Sequence, residues 1–261
     1  MFVILRYLKA LKENRSLIMV FAMGELKNRY RNSVLGFLWS ILEPLLLLSV
    51  LYVVFTSLLK PGIPNFAIYL LLGLIIWYFF TKSTTMGLNS ISSKGRLLSN
   101  VNFQRAIPAL SSNVTALMML GLELVILAFF FIGFGIVPTQ TILFLPYLIF
   151  LMFLISLGLS LPLSVLNVLY KDVQFIWNVI LTAGFFIHPI VYSIDMLSDN
   201  VREKFLFIPT VRLIDMIHST VIFGKSPSVF DFVYVTISAF AILMIGYIVY
   251  RIFEPRIAEE I

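Results

Sequence analysis

Residues 34–59 read VLGFLWSILEPLLLLSVLYVVFTSLL, 26 positions with one charged side chain, Glu43. About 20 predominantly apolar residues let a helix cross the hydrocarbon core of a bilayer, so this stretch predicts a membrane span. Five more stretches of the same kind follow, at 66–88, 107–134, 141–169, 173–194 and 229–253. Chain breakers separate them, Lys60-Pro61-Gly62-Ile63-Pro64 after the first span and Val137-Pro138 after the third. The composition agrees: of 261 residues 60% are hydrophobic and 12% charged, with a mean hydropathy of +1.01. A soluble domain carries about 25% charged residues, so an ordinary soluble enzyme is excluded. The expected fold is an all-α membrane protein, one transmembrane domain over residues 1–261 with six membrane-spanning helices and no internal repeat or second soluble domain.

Two segments lie outside the spans. Over 14–32, Met19, Ala22, Met23, Leu26 and Tyr30 share one helical face while Glu25, Lys27, Asn28 and Arg31 point elsewhere. That pattern predicts an interfacial helix lying along the membrane surface. The connection 195–227 alternates short apolar runs, Phe205 to Ile208 and Val221 to Phe223, with charges, and Pro209 and Gly224 interrupt it. Runs of that length are too short to span, so the segment is expected to dip into the outer face as re-entrant half-helices.

Basic residues set the direction of insertion. Thirteen of the 19 lysines and arginines fall on the side that holds both termini, five on the other, and Lys82 is expected to reach an inner helix end by snorkelling. Both termini are therefore expected in the cytoplasm, in a multi-pass protein of the cytoplasmic (inner or plasma) membrane. The net charge of +6 is absorbed by this asymmetry and does not point to nucleic acid. The order of residues 1–15, apolar and then basic, does not read as a cleaved signal peptide, so the chain is expected to be retained whole. With no cysteine and two histidines thirty positions apart, His188 and His218, no metal site is expected.

Two acids and a fragment invite chemistry. A charge within a span costs roughly 2.5–3.5 kcal/mol on insertion scales unless it is paired, hydrated or protonated. Glu43, beside Pro44 near the inner end of its span, reads as a structural ion pair with Arg31 or as a pore-facing group, and the deeper Glu123 as interior packing or a dimer contact. A proton relay is the alternative for both. Ser156, Ser160 and Ser164 form a small-residue stripe suited to helix packing. Gly224-Lys225-Ser226 resembles the end of a phosphate-binding loop, yet Ser219 stands where the pattern needs its first glycine, so the fragment does not form the complete motif.

Residues 25–44, ELKNRYRNSVLGFLWSILEP, closely resemble the entry to the first span in permease subunits of polysaccharide ABC exporters, the O-antigen, capsule and teichoic-acid group. Residues 166–173, LNVLYKDV, and 186–192, FIHPIVY, resemble two further blocks of that family. The resemblance implies a homodimeric permease that binds two cytoplasmic ATPase subunits and moves a lipid-linked polysaccharide outward among membrane lipids. ATP and Mg would sit on the partner subunit and no cofactor on this chain, which would be a transport subunit with no catalytic residue.

With that resemblance, the loop 94–105 is expected to dock into the ATPase through Arg96, Leu98, Val101, Phe103 and Arg105, because apolar side chains in a short basic loop suit a partner groove. Glu25, Lys27 and Arg29 of the interfacial helix are a second expected contact, with attraction of Lys27, Arg29 and Arg31 to anionic lipid as the rival reading. Ser49, Tyr52 and Thr56 share a side of the first span, and Trp177, Leu181, Gly184, Phe185 and His188 a face of the fifth. Aromatic faces stack on sugars while letting them slide, so Ser49, Tyr52, Thr56, Trp177, Phe185 and His188 are the expected polymer pathway, against a reading as core or lipid-facing packing. The alternative functions are a membrane-embedded transferase or ligase acting on lipid-linked sugars, an ABC exporter of a drug or small lipid, and a proton-coupled transporter.

Overall fold

The computed structural model describes residues 14–31, 33–36, 38–58, 62–94 and 105–259. Within them the chain is helical, with no strand: α1 (Arg15–Arg29), α2 (Leu38–Leu58), α3 (Phe66–Asn89), α4 (Ile107–Gly133), α5 (Leu145–Leu169), α6 (Asp172–Ile187), α7 (Asp199–Leu206), α8 (Pro209–Val221) and α9 (Val229–Phe253), with short 3-10 turns between some of them. Lipid offers no partner to a backbone N–H or C=O, so apolar segments of this length satisfy their backbone internally as helices. Five of the helices, α2, α3, α4, α5 and α9, are long and apolar enough to cross a membrane.

The fifth expected span, 173–194, is shorter than its apolar stretch. At 16 residues α6 covers about 24 Å, less than the ~30 Å of a hydrocarbon core. Its end is set by Pro189, which disfavours helical conformation at the preceding residue, and His188 is accordingly extended (ψ 143°). The chain then turns, and the expected half-helix region resolves into two short helices. Pro209 opens α8 at a position where its missing N–H costs nothing. Along α8, Val211, Leu213, Ile214, Met216, Ile217 and Val221 are all buried against the bundle.

The core is centred on α3. It is apolar on every side, and 78% of its most apolar stretch is buried, as expected of a helix surrounded by others. It touches α2, α4, α5, α6 and α8, while α1 lies on α4 and α9 on α5. Small residues let these backbones meet. A methyl group on Gly246 of α9 would stand 1.7 Å from the carbonyl oxygen of Gly158 in α5, and one on Gly87 of α3 would stand 2.4 Å from Ser160 Oγ. Ser156, Ser160 and Ser164 are fully buried along the same stripe of α5, where Ser160 Oγ donates to the Ser83 carbonyl at 3.3 Å.

Hydrogen bonds fasten the turn after α6 to α3 and α8. Tyr69 OH donates to the carbonyl of Tyr192 at 2.9 Å, and His218 Nε2 donates to the carbonyl of Tyr69 at 3.0 Å with the two rings stacked 3.8 Å apart. His188 Nδ1 donates to the Gly184 carbonyl, so its Nε2 accepts from Thr210 Oγ1 at 2.8 Å and ties the end of α6 to the start of α8.

Helix contact through backbone makes a sharp expectation. Gly246→Ala should lower the thermal unfolding midpoint of the purified protein by an amount corresponding to about 1–3 kcal/mol of overpacking. Gly121→Ala, at a helical position with open space around it, should leave that midpoint unchanged or raise it slightly. Equal midpoints for Gly246→Ala and the parent would contradict the crossing.

Candidate functional site

The charged residues expected singly within the spans meet in one cluster. Lys82 Nζ of α3 lies 2.9 Å from Glu43 Oε2 of α2 and 3.0 Å from Glu123 Oε1 of α4, with the Tyr78 ring beneath it at 4.9 Å. Two expectations are corrected. Lys82 does not snorkel to a helix end, because its side chain is 8% exposed and both carboxylates hold it inside. Glu43 pairs with Lys82 and not with Arg31. Glu123 is interior, as one of its readings has it, at 1% exposure, and its second oxygen has no partner among the described residues. Glu43 is 45% exposed and faces a cavity of about 650 Å3 at the end of the bundle that carries α1.

That end is organised by Glu25. Expected to face a partner, its carboxylate turns toward the bundle, accepting from Lys94 Nζ at 3.3 Å, from Ser112 Oγ at 3.0 Å and from Thr115 Oγ1 at 3.4 Å. Lys94 also donates to Ser111 Oγ at 3.2 Å and lies over the Phe21 ring. Burial pulls the Lys94 ammonium below the usual lysine range, and the Glu25 carboxylate opposes that shift. The pair fixes α1 to α4 at the point where the 94–105 loop begins. Lys27 and Arg29 are exposed, whereas Arg105 is half-buried and donates to the Glu254 carbonyl at 3.0 Å. Arg96, Leu98, Val101 and Phe103 lie outside the described residues.

The expected pathway residues divide into two sets. Ser49 and Tyr52 are exposed along α2, with Thr56 half-exposed beside them. Trp177, Leu181, Gly184 and His188 lie instead on the face of α6 that packs inward. Trp177 Nε1 donates to Thr84 Oγ1 at 3.2 Å, Gly184 abuts the Trp77 ring, and the His188 ring sits 4.4 Å from it. Phe185 is half-buried and packs edge-on against Phe186.

A different stripe faces outward on α6. Gln174, Asn178 and Thr182, spaced four residues apart, are all exposed, and Asn178 and Thr182 line a shallow cavity of about 380 Å3 with Val179, Ala183 and Phe186. Exposed side chains along the middle of α9, such as Val233, Ile237, Phe240, Met244 and Ile248, are apolar throughout, and so are those of α4. An uncharged polar stripe on an otherwise apolar span is costly against lipid and cheap against water or another polar surface. Sequence reading missed this stripe because the aromatics of the same helix outweighed it, although the four-residue spacing was visible.

Comparison with known proteins matches the sequence of this chain to a family. The family model described as "ABC-2 type transporter" matches residues 16–222. An O-antigen export system permease protein RfbA of Klebsiella pneumoniae is 30% identical over 252 residues, 93% of this chain and 94% of that protein. The protein of the same name in Myxococcus xanthus is 32% identical over 196 residues, 75% of each chain. The polysialic acid transport protein KpsM of Escherichia coli is 22% identical over 233 residues, 88% of this chain and 90% of its own length. With its helical bundle and a match over most of its length, the chain belongs to the ABC-2 type transporter family.

Proposed function

We propose that this chain is the transmembrane subunit of an ATP-driven exporter that moves a lipid-linked polysaccharide, of O-antigen, capsule or teichoic-acid type, across the cytoplasmic membrane. The observation that carries this reading is the likeness, over nearly the whole of both chains, to a permease named for O-antigen export. The subunit works as a homodimer with two separate cytoplasmic ATPases, which bind ATP and Mg. Both termini and the 94–105 loop face the cytoplasm, and α6 is the fifth of six spans, shortened where the chain re-enters through α7 and α8.

The distribution of polar side chains supports the division of labour. Among the described apolar helices, uncharged polar groups are exposed on α2 (Ser49, Tyr52) and along α6 (Gln174, Asn178, Thr182), and these two faces line the polymer path across the dimer seam. Hydroxyl and amide groups there exchange hydrogen bonds with passing sugars, and Tyr52 offers a ring face to stack on them. Trp177 and His188 support the path from behind by fixing α6 to α3 and α8. Docking to the ATPase falls to Arg96, Leu98, Val101 and Phe103 of the loop and to Lys27 of α1, while Glu25 and Lys94 brace the loop's root.

Two measurements test this reading. Reconstituted alone, the chain should hydrolyse no ATP, and co-expression with its ATPase should give a stable complex that does; hydrolysis by the lone chain would refute the assignment. Replacing the stripe in Asn178→Leu/Thr182→Val should leave expression and the ATPase complex intact and slow polymer export by about tenfold or more, about 1.4 kcal/mol on the limiting step. Export at the parental rate would show that this face of α6 meets lipid.

A further inference from the structure

Glu43 pairs with Lys82 and shares a cavity with Arg29. The cavity beside it is lined by Arg29, Tyr30, Ser33, Trp39 and Leu46 as well as by Glu43 itself. Arg29 is the last residue of α1 and forms no ion pair among the described residues. Its Nη1 lies 3.9 Å from Met86 Sδ, one turn of α3 beyond Lys82. One carboxylate is thus half in the cavity with an unpaired guanidinium and half in the bundle with a buried ammonium.

The charges of the cluster are unequal in a way that allows exchange. Lys82 is balanced by Glu123 alone, so withdrawing Glu43 leaves no buried cation without a partner. Losing the sole partner of a buried charge is what makes such pairs hard to break, and Lys82 is spared it. Glu43 would also not be stranded, since Arg29 lines the cavity into which it would move. The helix that carries Glu43 is suited to moving. Among the described side chains of α2 only Ser40, Pro44 and Leu48 are fully buried, and Leu45, Leu47, Leu51 and Phe55 are partly buried against the core. Pro44 has no N–H to give the Ser40 carbonyl, so the hydrogen-bond ladder of the continuous helix lacks one link beside Glu43, where helices bend.

We propose that Glu43 changes partner from Lys82 to Arg29 as α1 shifts against α2, and that this exchange transmits displacement of the interfacial helix into the first span. The proposal rests on the exporter reading above. It makes Arg29 and Glu43 positioning residues for transport, with Arg29 acting inside the permease and not as a contact to the ATPase.

The test uses the chain co-expressed with its ATPase partner, comparing yield of the complex and polymer export in cells. Arg29→Met should assemble with the ATPase in parental yield and export at least about tenfold more slowly, whereas Arg29→Lys, which keeps the charge, should restore most of the rate. Glu43→Gln should be impaired as well, and the double variant should be no slower than Glu43→Gln alone, because both changes remove one interaction. Parental export by Arg29→Met overturns the proposal, as do defects that simply multiply in the double variant. Loss of ATPase binding by Arg29→Met also overturns it, by making Arg29 a docking residue. If the parental chain itself neither binds an ATPase nor exports, the exporter reading fails, a result distinct from these.

Discussion

A single ammonium group held between apolar helices constrains the bundle. Lys82 belongs to the helix that is buried on every side, and it draws one carboxylate from α2 and one from α4 to within 3.0 Å. Removing charges from water costs several kcal/mol per ion, repaid only by close pairing, so Lys82 and Glu123 must arrive together, and Glu43 joins them from its half-exposed side. Apolar contacts between helices in lipid carry little direction, because lipid tails are as apolar as leucine. The ion cluster supplies direction, setting how α2 and α4 are placed around α3.

Around this cluster the bundle separates into a tightly joined part and a loosely joined part. Gly246 meets Gly158, and Gly87 meets Ser160, with no room for a methyl group, so α3, α5 and α9 are locked backbone to backbone or nearly so. The mostly partial burial of α2 contrasts with this, as does the row of exposed polar groups on the short α6. Packing of the first kind resists sliding; that of the second permits it. A permease whose rigid core carries two adjustable faces can widen a polar path without losing its fold, and the proposed exchange at Glu43 is one means of driving the change from the end where α1 lies.

Much of this architecture was legible in the sequence. The ends of the long helices fall within a few residues of the apolar stretches, because length and hydrophobicity are one-dimensional properties that lipid reads directly. A helix over 15–29 was visible in its spacing, although it buries Ile18, Ala22 and Leu26 and leaves Met19 and Met23 exposed, and the break at Pro209 was visible in proline chemistry. Three features were hidden for physical reasons. Lys82 was assigned to a helix end because nothing local reveals a partner 39 positions upstream on another helix. The inward face of α6 could not be told from the outward one by hydrophobicity, since Trp177 and Phe186 are both apolar and only tertiary contact separates them. Glu25, read as a surface residue from its charge, turns inward because Lys94, Ser112 and Thr115 converge on it.

The most direct test of the account is a stability cycle on the ion cluster, measured by thermal or denaturant unfolding of the purified protein. Lys82→Met leaves the Glu123 carboxylate buried without its cation, and the account expects a loss of about 3–5 kcal/mol. Adding Glu123→Gln to that variant should recover a large part of the loss, because the stranded charge is gone. A Lys82→Met protein as stable as the parent, or a double variant whose losses simply add, would contradict the claim that this buried ammonium organises the helices around α3.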